Sequence, residues 1–364
     1  MVFAWQASTV HFNYADNWTG LFCTGSSLSV PSELDEGTLR SVHPVGYDGQ
    51  MYRYIAHDPF FRRGYAQYVD DARLRYRRIL VPLTAYALAG GRQSIIDYSF
   101  GLVILISVFA GCYWSSCYSV LHRRSAWWGL VFLLVPGTIA SFDRMLVDAT
   151  LAALFAGFLL YIERRDWWGL LAVCTLAALT RETGVFLAIA VVLAALLQRD
   201  FRRMTLFAAA LLPAAAWAVF VSIHTQPSSS AYGLVTYPLI GHLQRLLVFR
   251  DDPLRWVQAI LRVTDVVALA GLLVCLGLAV YSILPERMRE IQICVGLFVA
   301  LGLVMGSPYY LIEPYGYARP VSPLLLFLML RGTLSGLIAP LTLTLAVGVN
   351  LAFQVAGVAK GLLR

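Results

Sequence analysis

Lysine is nearly absent from this 364-residue chain: Lys360 is the only one, and Asp, Glu, Lys and Arg together supply 13% of the residues. A soluble domain carries about twice that share of charge, so the deficit excludes an ordinary water-soluble globular protein. Cysteine is present without a pattern. Cys112, Cys117, Cys174, Cys275 and Cys294 lie in apolar blocks and Cys23 stands alone in a polar stretch. With no CxxC and no Cys/His spacing, neither a disulfide framework nor a zinc site is indicated. The apolar run from Met1 to Trp5 is too short to read as a signal peptide or a spanning helix. Net charge is +7, but the arginines concentrate in the first hundred residues and in short loops between apolar blocks. That is how topology signals are distributed, and it does not suggest a nucleic-acid partner.

What the chain has in abundance is apolar length. Hydrophobic residues make up 59% of the sequence, and the mean hydropathy is +0.68. The apolar residues come in long blocks, which predicts an all-α fold, a polytopic helical membrane protein. Residues 1–95 read as a polar, aromatic, outward-facing segment, and 96–364 as the transmembrane helical domain of the same unit. About ten spanning or partly spanning helices are expected, near 96–121, 126–142, 146–162, 167–180, 184–198, 204–223, 262–284, 290–306, 320–331 and 333–356. Those at 167–180, 184–198 and 320–331 are shorter than the roughly 20 residues of a straight span.

Basic loops orient these helices. His122-Arg123-Arg124, Glu163-Arg164-Arg165-Asp166, Arg199 with Arg202-Arg203, Arg287 with Arg289, and Arg331 fall on every second connection. The positive-inside rule assigns them to the cytoplasm. Trp127-Trp128 and Trp167-Trp168 sit at the same predicted interface, as aromatic belts do. The alternation requires 167–198 to be two helices. It places 1–95, 143–145, 181–183, 224–261, 307–319 and the C-terminus outside. Because 1–95 must then cross the membrane, a further apolar helix is expected upstream of Met1, which extending the open reading frame would reveal.

Charged groups near membrane depth are costly and are functional candidates by default. Here they gather at the outward ends: Asp143, Arg144 and Asp148 at the start of the third span, Arg181-Glu182 between two short helices, and Glu313 and Arg319 in a Tyr-rich loop. The first segment adds Asp48 in Gly46-Tyr47-Asp48-Gly49-Gln50, together with His57, Asp58 and Arg77-Arg78. Each has a plainer reading. Asp48-Gly49 suits a turn in which glycine supplies positive φ, and Asp143-Arg144 could be helix-start charges. Arg181 and Glu182 could simply pair with each other, and Arg319 could be an interfacial anchor. His57 reads as structural, and Arg77-Arg78 as a non-specific contact to lipid phosphate.

Taken in order, Tyr47-Asp48-Gly49-Gln50, Tyr52, Tyr54-Ile55-Ala56, the Arg77-Arg78-Ile79-Leu80-Val81-Pro82 approach, the Asp148-Ala149-Thr150 helix start and Leu179-Thr180-Arg181-Glu182-Thr183-Gly184 resemble the GT-C superfamily of membrane glycosyltransferases. The likeness is strongest to bacterial relatives of the PIG-V-type mannosyltransferases. It covers about the first two-thirds of the chain, plus the loop ending at Arg319. Tyr47 stands where many relatives have Trp, and Arg78-Ile79-Leu80-Val81-Pro82-Leu83 where many have Phe-Phe-Pro-Leu.

The resemblance implies sugar transfer from a polyprenyl-phosphate sugar to a cell-envelope glycan or glycolipid, at the periplasmic face of a bacterial inner membrane. Asp48 would be the general base. Arg181 first, then Arg319 and Arg144, would hold the phosphate. Tyr47, Gln50, Asp148 and Glu182 would support them. No Asp-x-Asp nucleotide-sugar motif is present. No cofactor is expected; a divalent metal is compatible with such a site, but nothing in the sequence calls for one. A transporter or flippase, a polymerase or ligase of lipid-linked glycans, and a non-catalytic assembly subunit remain open.

Overall fold

The computed structural model describes residues 1–42, 44–227, 235–247, 255–284, 289–306, 311 and 314–363. Glu313 and Arg287, both singled out in the sequence, lie outside the described residues. The described chain is helical. Its regular strand, among those residues, is one short parallel pairing of Thr24–Gly25 with Arg40–Ser41. Each apolar block expected to be a helix is one, except 126–142. The helices are Gln93–Leu121, Asp148–Arg164, Trp167–Thr180, Val185–Leu197, Phe201–Ala209 running into Leu212–His224, Arg255–Ile283, Glu290–Val304, Ser322–Leu330 and Leu334–Leu362. The block at 126–142 is instead a 3-10 turn, Ala126–Leu134, followed after a 63° bend by the helix Pro136–Arg144.

Local chemistry explains the breaks. Pro136 occupies the first helical turn, where its missing N–H costs nothing. Met145, in the left-handed region, ends that helix, and Asp148 begins the next. Asp143 and Arg144 are therefore helix-end residues rather than the helix-start charges that the sequence suggested. The side chains of Ser125, Asp166, Asp200 and Thr333 each cap a helix N-terminus by accepting a backbone N–H.

Among the described residues, three helices are long and apolar enough to cross a membrane alone, and up to five if each bent pair counts as one span. Trp167–Thr180, Glu182–Leu197 and Glu290–Val304 are apolar but shorter. The chain is a polytopic helical membrane protein. At its centre, every residue of the helix Asp148–Arg164 from Asp148 to Leu160 is buried. It packs against Gln93–Leu121, Trp167–Thr180 and Ser322–Leu330. An apolar helix with no polar stripe is what such a position requires.

The basic connections meet at one end of the bundle. Arg124 donates to the carbonyls of Leu330 and Arg331. Trp128 Nε1 donates to Met329 O at 3.0 Å. Arg203 pairs with Glu290 and lies 4.0 Å from the centre of the Trp167 ring. The connections expected to face outward gather at the other end, with the first segment folded onto them.

That segment is more helical than its polarity suggested, with Val2–Asn13, Gly49–His57 and Leu80–Leu88 as its main helices. All nine residues of Gly49–His57 are buried. Arg53 and His57, one helical turn apart, both bond Asp97: Arg53 Nε at 2.9 Å and His57 Nε2 at 3.0 Å. This ties the helix to the first turns of Gln93–Leu121. Glycine has two separate uses here. Gly46 takes the positive φ, +66°. Gly49 is helical, so the turn reading of Asp48-Gly49 is corrected: a Cβ on Gly49 would sit 2.1 Å from Arg144 O. The glycine is there because two backbones touch.

Gly49→Ala must push these backbones apart. A loss of about 1–3 kcal/mol is expected, the usual cost of overpacking, measurable as a lower unfolding midpoint in detergent. Gly37→Ala is the control, because its Cβ would meet nothing within 4 Å.

Candidate functional site

Asp48 immediately precedes the helix Gly49–His57, and its side chain caps no backbone N–H there. Both carboxylate oxygens are taken by arginines from distant parts of the chain. Arg75 Nη2 donates to Oδ1 at 2.9 Å, and Arg319 Nη2 donates to Oδ2 at 2.7 Å. Arg319 is held on two further sides. Its Nη1 donates to Tyr47 Oη at 2.9 Å, and its Nε lies 3.4 Å from Asp148 Oδ2. Tyr47 in turn meets Tyr315 edge-on, with ring centres 5.8 Å apart.

Asp148 carries the network inward. It pairs with Arg181 as well as Arg319. It is also the first residue of the central helix, where the dipole favours a negative charge. Arg181 is extended, at φ −162° and ψ 156°, between Trp167–Thr180 and a short 3-10 turn. This break supplies the two helices that the loop alternation required. Glu182, from the same turn, lies 3.9 Å from Arg181 but is gripped more closely by Arg78, whose Nε donates to Oε1 at 2.8 Å. Arg78 Nη1 also donates to Tyr52 Oη at 2.8 Å.

Tyr47, Asp48, Asp148, Arg181, Glu182 and Arg319, all proposed from sequence, therefore share one network. Two other candidates are placed elsewhere. Gln50 turns away from Asp48: its Oε1 accepts from Gly25 N at 3.1 Å and its Nε2 donates to Val45 O at 2.8 Å. Arg144 pairs through Nε with Asp143 at 3.1 Å, and its backbone carbonyl lies against Gly49 at the start of the Asp48 helix. Asp58 accepts the backbone N–H groups of Arg62, Arg63 and Tyr65, which closes its own loop.

The sequence reading missed Arg75 and Asp70 and misjudged Arg78. Arg78 is a buried partner of Glu182 rather than a surface contact for lipid. Arg75 also bonds Asp70, through Nε at 3.0 Å and Nη2 at 2.9 Å. The one available signal was the clustering of Asp70, Asp71, Arg73, Arg75, Arg77 and Arg78 just ahead of an apolar helix.

Side-chain exposure shows where the network opens. Asp148 and Arg181 are 2% exposed, Arg78 4% and Arg319 7%, against 13% for Arg75, 23% for Asp48 and 34% for Glu182. Beside the half-exposed Asp70, the network opens at Asp48, Arg75 and Glu182. Burial alone would raise the Asp48 carboxyl, but Arg75 and Arg319 outweigh it and hold the group well below the usual carboxylate range. Among the described residues, no three His, Cys, Asp or Glu side chains gather as a metal ion would need; the acids of the network are separated by arginines.

No protein-family model and no curated protein matches the chain. Among solved structures, the crystal structure of ArnT from Cupriavidus metallidurans bound to undecaprenyl phosphate is similar over 92% of this chain, with 18% identity and a TM-score of 0.43. The alignment spans 59% of that protein's length. A likeness that distant decides neither fold nor activity.

Arg181 and Asp148 form a buried pair, and removing Arg181 leaves the buried Asp148 carboxylate with only the longer contact to Arg319. Arg181→Gln is expected to cost about 3–5 kcal/mol, seen as a large drop in unfolding midpoint. Glu182→Gln, at the exposed edge, is expected to cost far less. Equal losses in the two variants would show that depth in the network does not set its energetics.

Proposed function

We propose that this chain is a membrane glycosyltransferase of GT-C type. It would move a sugar from a polyprenyl-phosphate donor to a hydroxyl of a cell-envelope glycan or glycolipid, on the outer face of a bacterial inner membrane. The observation that carries this reading is the placement of Asp48: an ionised, partly exposed carboxylate, set between two arginines at the end of an apolar helix bundle. The chemistry of sugar transfer needs both kinds of group. The acceptor O–H gives its proton to Asp48 as its oxygen bonds to the anomeric carbon. The bond from that carbon to the phosphate oxygen breaks, and the polyprenyl phosphate leaves with the electron pair. Guanidinium groups fixed beside it offset the developing negative charge. One displacement inverts the anomeric centre.

The network suits this role better than transport. A lipid-linked-sugar transporter would place polar groups near mid-membrane between repeated halves. Here the network gathers at one end, on connections of four different origins.

Asp48→Asn is expected to abolish sugar transfer from defined polyprenyl-phosphate sugars while the purified protein stays folded, with an unfolding midpoint lowered by the loss of one charge between Arg75 and Arg319. Full activity in that variant would remove Asp48 from the chemistry.

The pH dependence has a definite sign. A carboxylate held below its usual range keeps its charge to lower pH than a free aspartate, whose pKa is about 3.9. The acid limb of kcat/KM, which reports the free enzyme, should therefore show no inflection from Asp48 between about pH 5 and 8. An acid inflection in that window that vanished in a low-activity Asp48→Glu variant would contradict the assignment.

A further inference from the structure

The two arginines that keep Asp48 ionised also make it a reluctant base, because every hydrogen bond to the carboxylate stabilises it against taking a proton. The two contacts differ in what stands behind them. Arg319 donates to Tyr47 and Asp48 and also forms an ion pair with Asp148, and Asp148 is fixed at the start of the central helix. Arg75 comes from the short segment before the helix Leu80–Leu88, and its second partner is the half-exposed Asp70.

Guanidinium geometry decides what Arg75 can do. A guanidinium offers two forked edges, one formed by Nε and Nη2 and the other by Nη1 and Nη2. Asp70 takes the first edge, with its two oxygens on Nε and Nη2. Asp48 takes the remaining Nη2 proton. Neither contact uses Nη1. A phosphate gripping the second edge with two oxygens therefore needs the very proton that Asp48 now accepts, and it can take it without disturbing Asp70. Of the four guanidinium groups in the network, Arg75 is also the most exposed.

We propose that Arg75 is the phosphate-binding arginine of this site and that it acts by exchange: anchored on Asp70, it passes its shared Nη2 donor from Asp48 to the phosphate of a polyprenyl-phosphate ligand. The proposal rests on the transferase reading and adds an order of events to it. Seating the donor phosphate removes one of the two restraints on Asp48, so the base gains strength when a leaving group is in place. Arg181, the first choice from sequence, then serves to hold Asp148 rather than to grip the phosphate.

The exchange makes phosphate and Asp48 competitors, which can be measured without any turnover. Calorimetry on the purified full chain would use farnesyl phosphate as probe, with farnesol and inorganic phosphate as controls. The wild type should bind farnesyl phosphate in preference to both. Arg75→Gln should weaken that binding about ten-fold. Asp48→Asn should strengthen it several-fold by withdrawing the competitor, and the gain should shrink in the Arg75→Gln background. Arg75→Lys should behave like Arg75→Gln, because an ammonium cannot hold Asp70 on one edge and phosphate on another. Unfolding midpoints separate these effects from a loss of folding.

An Asp48→Asn affinity equal to or below wild type, or an unchanged Arg75→Gln affinity, would overturn the exchange. If Asp48→Asn also abolished transfer, the transferase reading would survive that failure. A wild type with no preference for farnesyl phosphate over farnesol would overturn both. Inorganic phosphate binding as tightly as farnesyl phosphate, with the same response to the variants, would overturn the lipid identity of the ligand.

Discussion

One guanidinium holds the network end of this helix bundle together. Arg319 reaches Asp48 on the first segment and Asp148 on the central helix, which are otherwise far apart in the chain. Without it, Asp48 would keep Arg75 as its one ion-pair partner, and Asp148 would keep a single partner, Arg181. The energetic logic is severe because the groups are buried. A carboxylate at the start of an apolar helix is tolerable only if its charge is met, and the loss of one member strands the others. The charges of this end are therefore bound to one another as tightly as the apolar core is bound by packing.

The network is also balanced. Asp48, Asp70, Asp148 and Glu182 face Arg75, Arg78, Arg181 and Arg319, four charges of each sign, arranged so that carboxylates and guanidiniums alternate. Such balance suits a site that must admit an anion without a large electrostatic penalty. A phosphate does not enter an overcharged pocket; it competes for donors that are already in use. Affinity then depends on which donor can be released at least cost, and exposure ranks the candidates. Arg181 is locked against the nearly dry Asp148, and Arg78, itself buried, grips Glu182 through both Nε and Nη2, whereas Arg75 stands at the opening with one nitrogen in neither of its ion pairs.

Sequence made the helices and their ends legible, and physics explains what stayed hidden. Apolar length and the alternation of basic loops located the helices and required the break at Arg181, because both are properties of the chain read in one dimension. The same alternation brought Asp48, Asp148, Arg181 and Arg319 to one end. It could not say which of them touch, since contact around a bundle is set by helix packing and not by depth. Gln50 and Arg144 illustrate the gap: both lie beside the right residues in sequence, yet their side chains point to Val45 and Asp143. Arg75 and Asp70 were invisible for the opposite reason. They sit in an irregular polar stretch, five residues apart, with no period to mark them. Gly49 was read for its freedom when its real use is its lack of a side chain against the Arg144 carbonyl.

The asymmetry between the two arginines on Asp48 gives the site a direction. One is tied to the buried start of the central helix and the other to an exposed aspartate, so a perturbation at the opening acts on Arg75 before Arg319. The rigid partner keeps the carboxylate in position, and the yielding partner sets how strongly it holds a proton. A site built with two rigid partners would leave Asp48 well placed but weak as a base. A site with two yielding partners would let it swing away on its loop. The observed pairing avoids both failures, and it does so with residues from opposite ends of the chain, Arg75 ahead of the helix bundle and Arg319 close to its last helices.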